Sequence, residues 1–137
     1  EFDDSAVALS DVSTLQNDVA QLAAAEFHFV EDVQFRETDQ QRLARHATLI
    51  RDVADRAAQV GMIVNITVIG YTDGLGTADF NQALAERRVA AAIQQLLASG
   101  IDAQRISRSI DLAAVGTTGA LPTLRKVDVN LQLAEPD

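Results

Sequence analysis

Ile69-Gly-Tyr-Thr-Asp-Gly-Leu-Gly-Thr-Ala-Asp-Phe-Asn-Gln-Ala-Leu-Ala-Glu-Arg-Arg88 joins a β-type run to a helix, and the rest of the chain is read outward from it. Before it, Met62 to Gly70 is rich in β-branched residues and apolar on both faces apart from Asn65 and Thr67, which predicts a central strand buried on both sides. After the polar, glycine-rich loop, a helix is predicted from about Asp79 to Ser99, with Gly100 as its stop. Asp73 therefore falls just past the carboxyl end of a strand, where ligands of α/β sheets tend to bind. At about 100° per residue, Ala85, Val89, Ala92, Ile93 and Leu96 share one apolar stripe. Arg87 points away from that stripe into solvent. Arg88 falls on its rim, with Asn81 only about 20° away along the same edge. An acid and a base aimed at one place suit a small zwitterion, with Asp73 accepting from an ammonium and Arg88 forking onto a carboxylate. The plainer alternative, which spacing alone favours, is that Asp73 and Arg88 pair with each other or with water at the surface.

Working back toward the amino terminus, Leu43, Ala47, Ile50, Ala54 and Ala57 recur at helical spacing, and Gly61 sits where a glycine would end that helix. Thr38-x-x-Gln41 has capping-box form. The remaining face mixes Arg42, Arg45, Arg51, Asp52, Asp55 and Arg56, as a solvated surface does. Phe27 to Phe35 alternates as a first strand with Phe27, Phe29, Val33 and Phe35 inward, although the step from 29 to 33 skips one apolar place. Val12, Leu15, Val19 and Leu22 support a short amphipathic helix capped by Ser10 or Asp11, suited to linking or to peripheral packing. Residues 1–26 are thus an acidic lead-in with a short helix, a possible linker, and 27–137 a single domain.

Toward the carboxyl end, residues 106–115 form a weaker strand (Ile106, Ile110, Leu112, Val115), Gly116-Thr-Thr-Gly119 and Pro122 mark a turn, and Lys126 to Leu133 alternates without error. The order β-α-β-α-β-β predicts an α/β domain with a mixed sheet and helices packed on it.

The chain of 137 residues is 47% hydrophobic and 4% aromatic, so its core is aliphatic. A formal net charge of −9 opposes non-specific binding to nucleic acid or to an anionic membrane. Without cysteine, neither a disulfide framework nor a thiolate metal site can form. No apolar run reaches the roughly 18 residues of a membrane span. The sequence opens at Glu1-Phe2 with neither Met nor a signal peptide, so a piece of a longer protein is expected, with any targeting segment or anchor upstream.

Gly70-Tyr-Thr-Asp73, then Asn81-x-x-Leu84, then Arg88, resembles the signature of the OmpA-like C-terminal domain, G-[HY]-T-D followed by N-x-x-L-S-x-x-R-A. Asp32-Val-Gln-Phe35 with Leu43, Gly100-Ile101 with Arg105-Ile106, and Arg125-Lys-Val-Asp-Val129 extend the likeness over residues 27–133. The resemblance implies non-covalent binding of peptidoglycan through the diaminopimelate of its stem peptide, anchoring the parent protein to the cell wall. By the same likeness Asp73 holds the free amino group and Arg88 the carboxylate, Thr72 and Asn81 shape the loop, and Leu84 and Phe35 supply apolar wall. It also implies a periplasmic, envelope setting and a parent protein held at a membrane through a segment outside this chain. Ala85 and Val89 replace the usual Ser and Ala, Arg36-Glu37 follows Phe35, and the family's G-x-G-E-x-x-P loop is unrecognisable between Asp111 and Pro122. Leu124 stands in place of an Asn. These departures leave a second possibility, a drifted OmpA-like domain acting as a protein-interaction or assembly module.

An enzyme is not expected. Asp73 and Asp79 are ordinary turn residues, and Gly74-Leu-Gly76 lacks the Lys and Ser/Thr of a phosphate loop. His28 is expected to face solvent on a strand and His46 to sit beside the core, with no ligand spacing between them, so neither a metal nor a cofactor is expected. Phe27 and Phe29 read as core rather than as a stacking platform. Tyr71 fits either the wall of the site or the end of the strand.

Overall fold

The computed structural model describes residues 4–72, 76–112 and 124–136, with side chains from residue 12 onward. In chain order the elements are α1 (Asp4–Leu22), β1 (Ala24–Glu31), β2 (Gln34–Phe35), α2 (Glu37–Gln59), β3 (Ile63–Tyr71), α3 (Ala78–Ala98), a 3₁₀ turn (Ala103–Arg105), β4 (Ile106–Asp111) and β5 (Lys126–Ala134). The strands form one sheet in the order β2-β1-β5-β3-β4. β3 and β4 run parallel, while β5 pairs antiparallel with both β1 and β3. The mixed sheet with packed helices expected from the order of elements is the fold observed.

Period-two alternation gives the sheet one dry face. Phe27 and Phe29 of β1, Val64, Ile66 and Val68 of β3, and Val127, Val129 and Leu131 of β5 are buried in a single core. All three helices contribute to it: Leu15 and Val19 from α1, Leu43, Ala47, Ile50, Val53 and Ala57 from α2, and Val89, Ala92, Ile93 and Leu96 from α3. The first helix is therefore longer than its short apolar pattern suggests, and its buried residues belong to the same core as the sheet. Ser10 and Asp11 lie inside it rather than capping it.

β3 departs from the two-sided burial expected of it. Val64, Ile66, Val68 and Gly70 are buried, whereas Asn65 is exposed and Ile63, Thr67 and Ile69 are half-buried. The helices pack only on the face shared by the even-numbered residues, so β-branched residues opposite them keep partial contact with solvent.

The segment 27–35 is a hairpin, not one strand. Asp32 takes a left-handed φ of 44° and the chain reverses there. Phe35 returns opposite Phe29. That reversal accounts for the skipped apolar place, and it leaves Val33 exposed instead of inward. α2 starts at Glu37 behind Arg36, without a side-chain cap, so Thr38 and Gln41 form no capping box. The helix does end as expected. Gly61, at φ 73°, donates to Ala58 O at 3.2 Å, and Met62 N donates to Ala57 O at 2.8 Å, the paired bonds of a Schellman stop. The same pair of bonds recurs at Gly100 and Ile101. The strand expected over 106–115 ends at Asp111 within the described residues, while 113–115, the Gly116–Gly119 turn and Pro122 lie outside them.

Candidate functional site

The end of β3 and the first turns of α3 are held together by close packing. At Gly70 an added Cβ would stand 2.6 Å from Ala85 O and 2.7 Å from a Val89 methyl, so the absent side chain lets the helix lie directly on the strand end. Thr77 caps the helix, its side chain accepting from Phe80 N at 3.1 Å. The Asn81 side chain donates to Thr77 O at 2.8 Å, tying the first turn back to the loop. Asn81 is wholly buried, and so is Thr72 just past β3. The Thr72 hydroxyl has no hydrogen-bond partner among the described residues.

Arg88 is 2% exposed, well below the rim position expected for it. Its Nε donates to Asp32 O at 2.7 Å and its Nη1 to Tyr71 O at 3.1 Å. The guanidinium also lies 5.1 Å from the centroid of the Phe29 ring, and Phe35 stacks on the far partner of that contact with ring centroids 4.2 Å apart. Carbonyl dipoles and an aromatic face are what a desolvated cation needs if it is to stay charged. Leu84, one turn before Arg88, is buried but outside the main core, at the end of the sheet where the site lies. Thr72, Asn81, Leu84 and Arg88 thus gather at the β3–α3 junction, with Phe35 reaching it through Phe29. Asp73 lies outside the described residues.

Two participants were not expected from the sequence. Arg87 is exposed, as expected, but it also donates from Nη2 to Asp32 Oδ1 at 3.0 Å across the hairpin. Asp32 itself binds both arginines, one through its carboxylate and the other through its carbonyl. The skipped apolar place between Phe29 and Val33 was the one sequence signal of a turn at that position.

Other polar clusters are structural. On the open face of the sheet, Lys126 Nζ contacts Glu26 at 2.6 Å and Asp128 at 3.1 Å and lies 4.6 Å from the Tyr71 ring centroid. The Lys126 hydrogen bond holds the Glu26 carboxyl below its usual range against a smaller opposing effect of burial. Burial, then the neighbouring Asp128 carboxylate, raises the Tyr71 hydroxyl. His28 is half-buried rather than solvated, its Nδ1 lying 3.5 Å from Asp39 Oδ2. His46 packs against Phe27 with ring centroids 5.5 Å apart. Among the described residues, no group of three His, Asp or Glu is placed to hold a metal ion.

The same architecture occurs in known proteins. The OmpA-like domain of FopA1 from Francisella tularensis superposes with a TM-score of 0.61 at 19% identity, covering 82% of this chain and 72% of that one. The peptidoglycan-associated lipoprotein of Burkholderia pseudomallei gives 0.59 at 22% identity, covering 80% of this chain and 90% of that one. A periplasmic domain of MotB from Helicobacter pylori gives 0.58 at 16% identity, covering 83% of each chain. In sequence, outer membrane protein A of Escherichia fergusonii is 42% identical over 43 residues, which is 31% of this chain and 18% of that protein. The match thus spans less than a fifth of that relative's length. No family model matches the chain. The fold is that of an OmpA-like domain, as the motifs indicated.

Proposed function

We propose that this OmpA-like domain binds peptidoglycan non-covalently and without catalysis, holding its parent protein to the cell wall in the bacterial envelope. The observation that carries the proposal is Arg88, a buried guanidinium at the strand-to-helix junction, braced by two carbonyls beside an aromatic ring. A cation pinned in this way keeps a fixed direction toward an incoming carboxylate. The name of the Burkholderia relative records association with peptidoglycan, and that of the Helicobacter relative a periplasmic domain, which supports the same setting here.

In detail, Asp73 accepts from the ammonium of a diaminopimelate side chain, and Arg88 receives its carboxylate. The Thr72 hydroxyl, buried with no partner among the described residues, offers a further hydrogen bond at the same junction. Asn81 fixes the first turn of α3, while Leu84 and Phe35 supply apolar wall. A few charge-assisted hydrogen bonds of about 1.5–3 kcal/mol each, less ordering costs, give an affinity of about micromolar to millimolar for a soluble fragment. Repetition along the polymer then strengthens attachment. The drifted-interaction-module alternative rests on the altered sequence between 107 and 124, most of which lies outside the described residues.

Calorimetric titration of a diaminopimelate muropeptide into wild type, Asp73→Asn and Arg88→Lys tests the assignment. Binding by wild type alone is expected. Lysine at position 88 keeps the charge while losing the planar fork, so it separates recognition from loss of folding. Equal binding by all three proteins removes the roles given to Asp73 and Arg88. An interaction module would stay in the supernatant when purified sacculi are spun down, whereas a wall-binding domain pellets with them.

A further inference from the structure

Consecutive arginines on a helix lie about 100° apart, yet Arg87 and Arg88 converge on one residue of the β1–β2 turn. Arg88 Nε ends on the Asp32 carbonyl at 2.7 Å and Arg87 Nη2 on the Asp32 carboxylate at 3.0 Å. Asp32 is the one non-glycine residue among those described with positive φ, at 44°. Its backbone is turned by that conformation, and its carbonyl is the acceptor for the Nε of Arg88. The opposite side of the guanidinium is met by Tyr71 O at 3.1 Å.

We propose that Asp32 is a positioning residue for the binding site. Its left-handed turn aims a carbonyl that fixes the Arg88 guanidinium, and Arg87 clamps the turn from outside. The proposal rests on the reading of Arg88 as the receiver of a ligand carboxylate. A guanidinium already fixed by the protein loses less freedom when it meets that carboxylate, and preorganisation of this kind appears as affinity. Asp32 touches no ligand. It acts on recognition only through Arg88, so its influence is confined to the ligand group that Arg88 receives.

The experiment compares Asp32→Gly with Asp32→Val in the full chain. Glycine accepts φ near 44° without strain and keeps the carbonyl, losing only the Arg87 ion pair. Valine is β-branched and opposes that conformation, so it displaces the carbonyl. Each protein is titrated with a diaminopimelate-type and a lysine-type muropeptide, the second lacking the side-chain carboxylate. Exchange of the Arg88 Nε–H is followed by NMR in the unliganded proteins. Asp32→Gly should weaken diaminopimelate-type binding by no more than about fivefold, the range of an exposed ion pair. Asp32→Val should weaken it by about tenfold or more, the worth of one charge-assisted hydrogen bond, with faster Nε–H exchange and unchanged binding of the lysine-type peptide. Asp32→Ala, less strained at this φ, replaces valine should that protein fail to fold. Equal losses in the glycine and valine proteins overturn the proposal, as does loss of both muropeptides alike. Failure of wild type to bind either muropeptide rejects the wall-binding reading instead, and the exchange rates still decide whether Asp32 holds Arg88.

Discussion

Asp39 is a short acidic side chain in the first turn of α2 that serves three neighbours at once. It accepts from the backbone N–H of His28, and it sits 3.4 Å from Arg36 and 3.3 Å from Arg42, with its own side chain only 5% exposed. Burial raises its pKa, but the His28 N–H and the two arginines outweigh burial and hold the carboxyl below its ordinary value. A carboxylate depressed in the folded state adds stability that is complete above the unfolded pKa of about 3.9 and is lost as pH falls through the folded one. Asp39→Asn should therefore cost about 1.5–3 kcal/mol at neutral pH, and the gap to wild type should close below pH 4 in urea titrations. A gap that stays constant down to pH 2 would show that the charge is not what matters. His46 runs on the same logic at higher pH. Burial, then nearby Arg42, holds its imidazole below the ordinary value, and its buried Nε2 has no hydrogen-bond partner among the described residues. Protonation therefore favours the unfolded chain. Wild type should lose stability as pH falls from about 6.5 through the folded pKa, while His46→Leu should lose less over that window and be neutral or more stable at pH 7.

At the scale of elements, the β3–α3 junction was legible because its parts are short-range. A β-branched run, a glycine-rich loop, a helical stripe and a terminal glycine each act within a few residues. Helical spacing put Asn81 and Arg88 on one edge beside the strand end, and the likeness to the OmpA-like signature added Thr72 and Leu84. The hairpin was not legible in the same way. Nothing local says that Asp32 takes a positive φ, since Asp tolerates that region without requiring it, and the turn is held by arginines from an element 55 residues downstream. The burial of Arg88 was missed for a related reason, because the rim of an amphipathic stripe is exposed only if no other element covers it. Here the β1–β2 turn does. Close approach at Gly70 depends likewise on where α3 lands. Gly70→Ala should cost about 1–3 kcal/mol through overpacking against Ala85 and Val89. It should also weaken muropeptide binding, because the helix carrying Arg88 has to back away from the strand end. At Gly61 a Cβ meets nothing within 4 Å, so Gly61→Ala pays only for its left-handed φ and should leave binding unchanged. Identical binding losses in the two variants would mean that the junction is not held by that contact.

For the whole molecule, the question is whether α1 belongs to the cooperative unit or only leads into it. Leu15 is 1% exposed and Val19 5%, both within the core that includes Val129 and Leu43. Asp18 reaches Arg56 of α2 at 2.8 Å. An apolar repeat of four residues cannot say from sequence alone whether its stripe meets the sheet or another protein, which is why linking or peripheral packing was the expectation there. Burial against two other elements makes the helix part of what unfolds. Leu15→Ala should then cost about 2–5 kcal/mol, the usual range for a core leucine, and the cost should appear at the far end of the molecule as well. Tyr71 is the sole tyrosine and there is no tryptophan, so near-ultraviolet circular dichroism reports the β3 end while the far-ultraviolet signal is dominated by the three helices. Both signals should shift to the same lower urea midpoint in Leu15→Ala, as one cooperative transition requires. A Tyr71 transition that stays at the wild-type midpoint while helix signal is lost early would make α1 a separately melting appendage, and the binding end of the domain would then be independent of whatever lies before it.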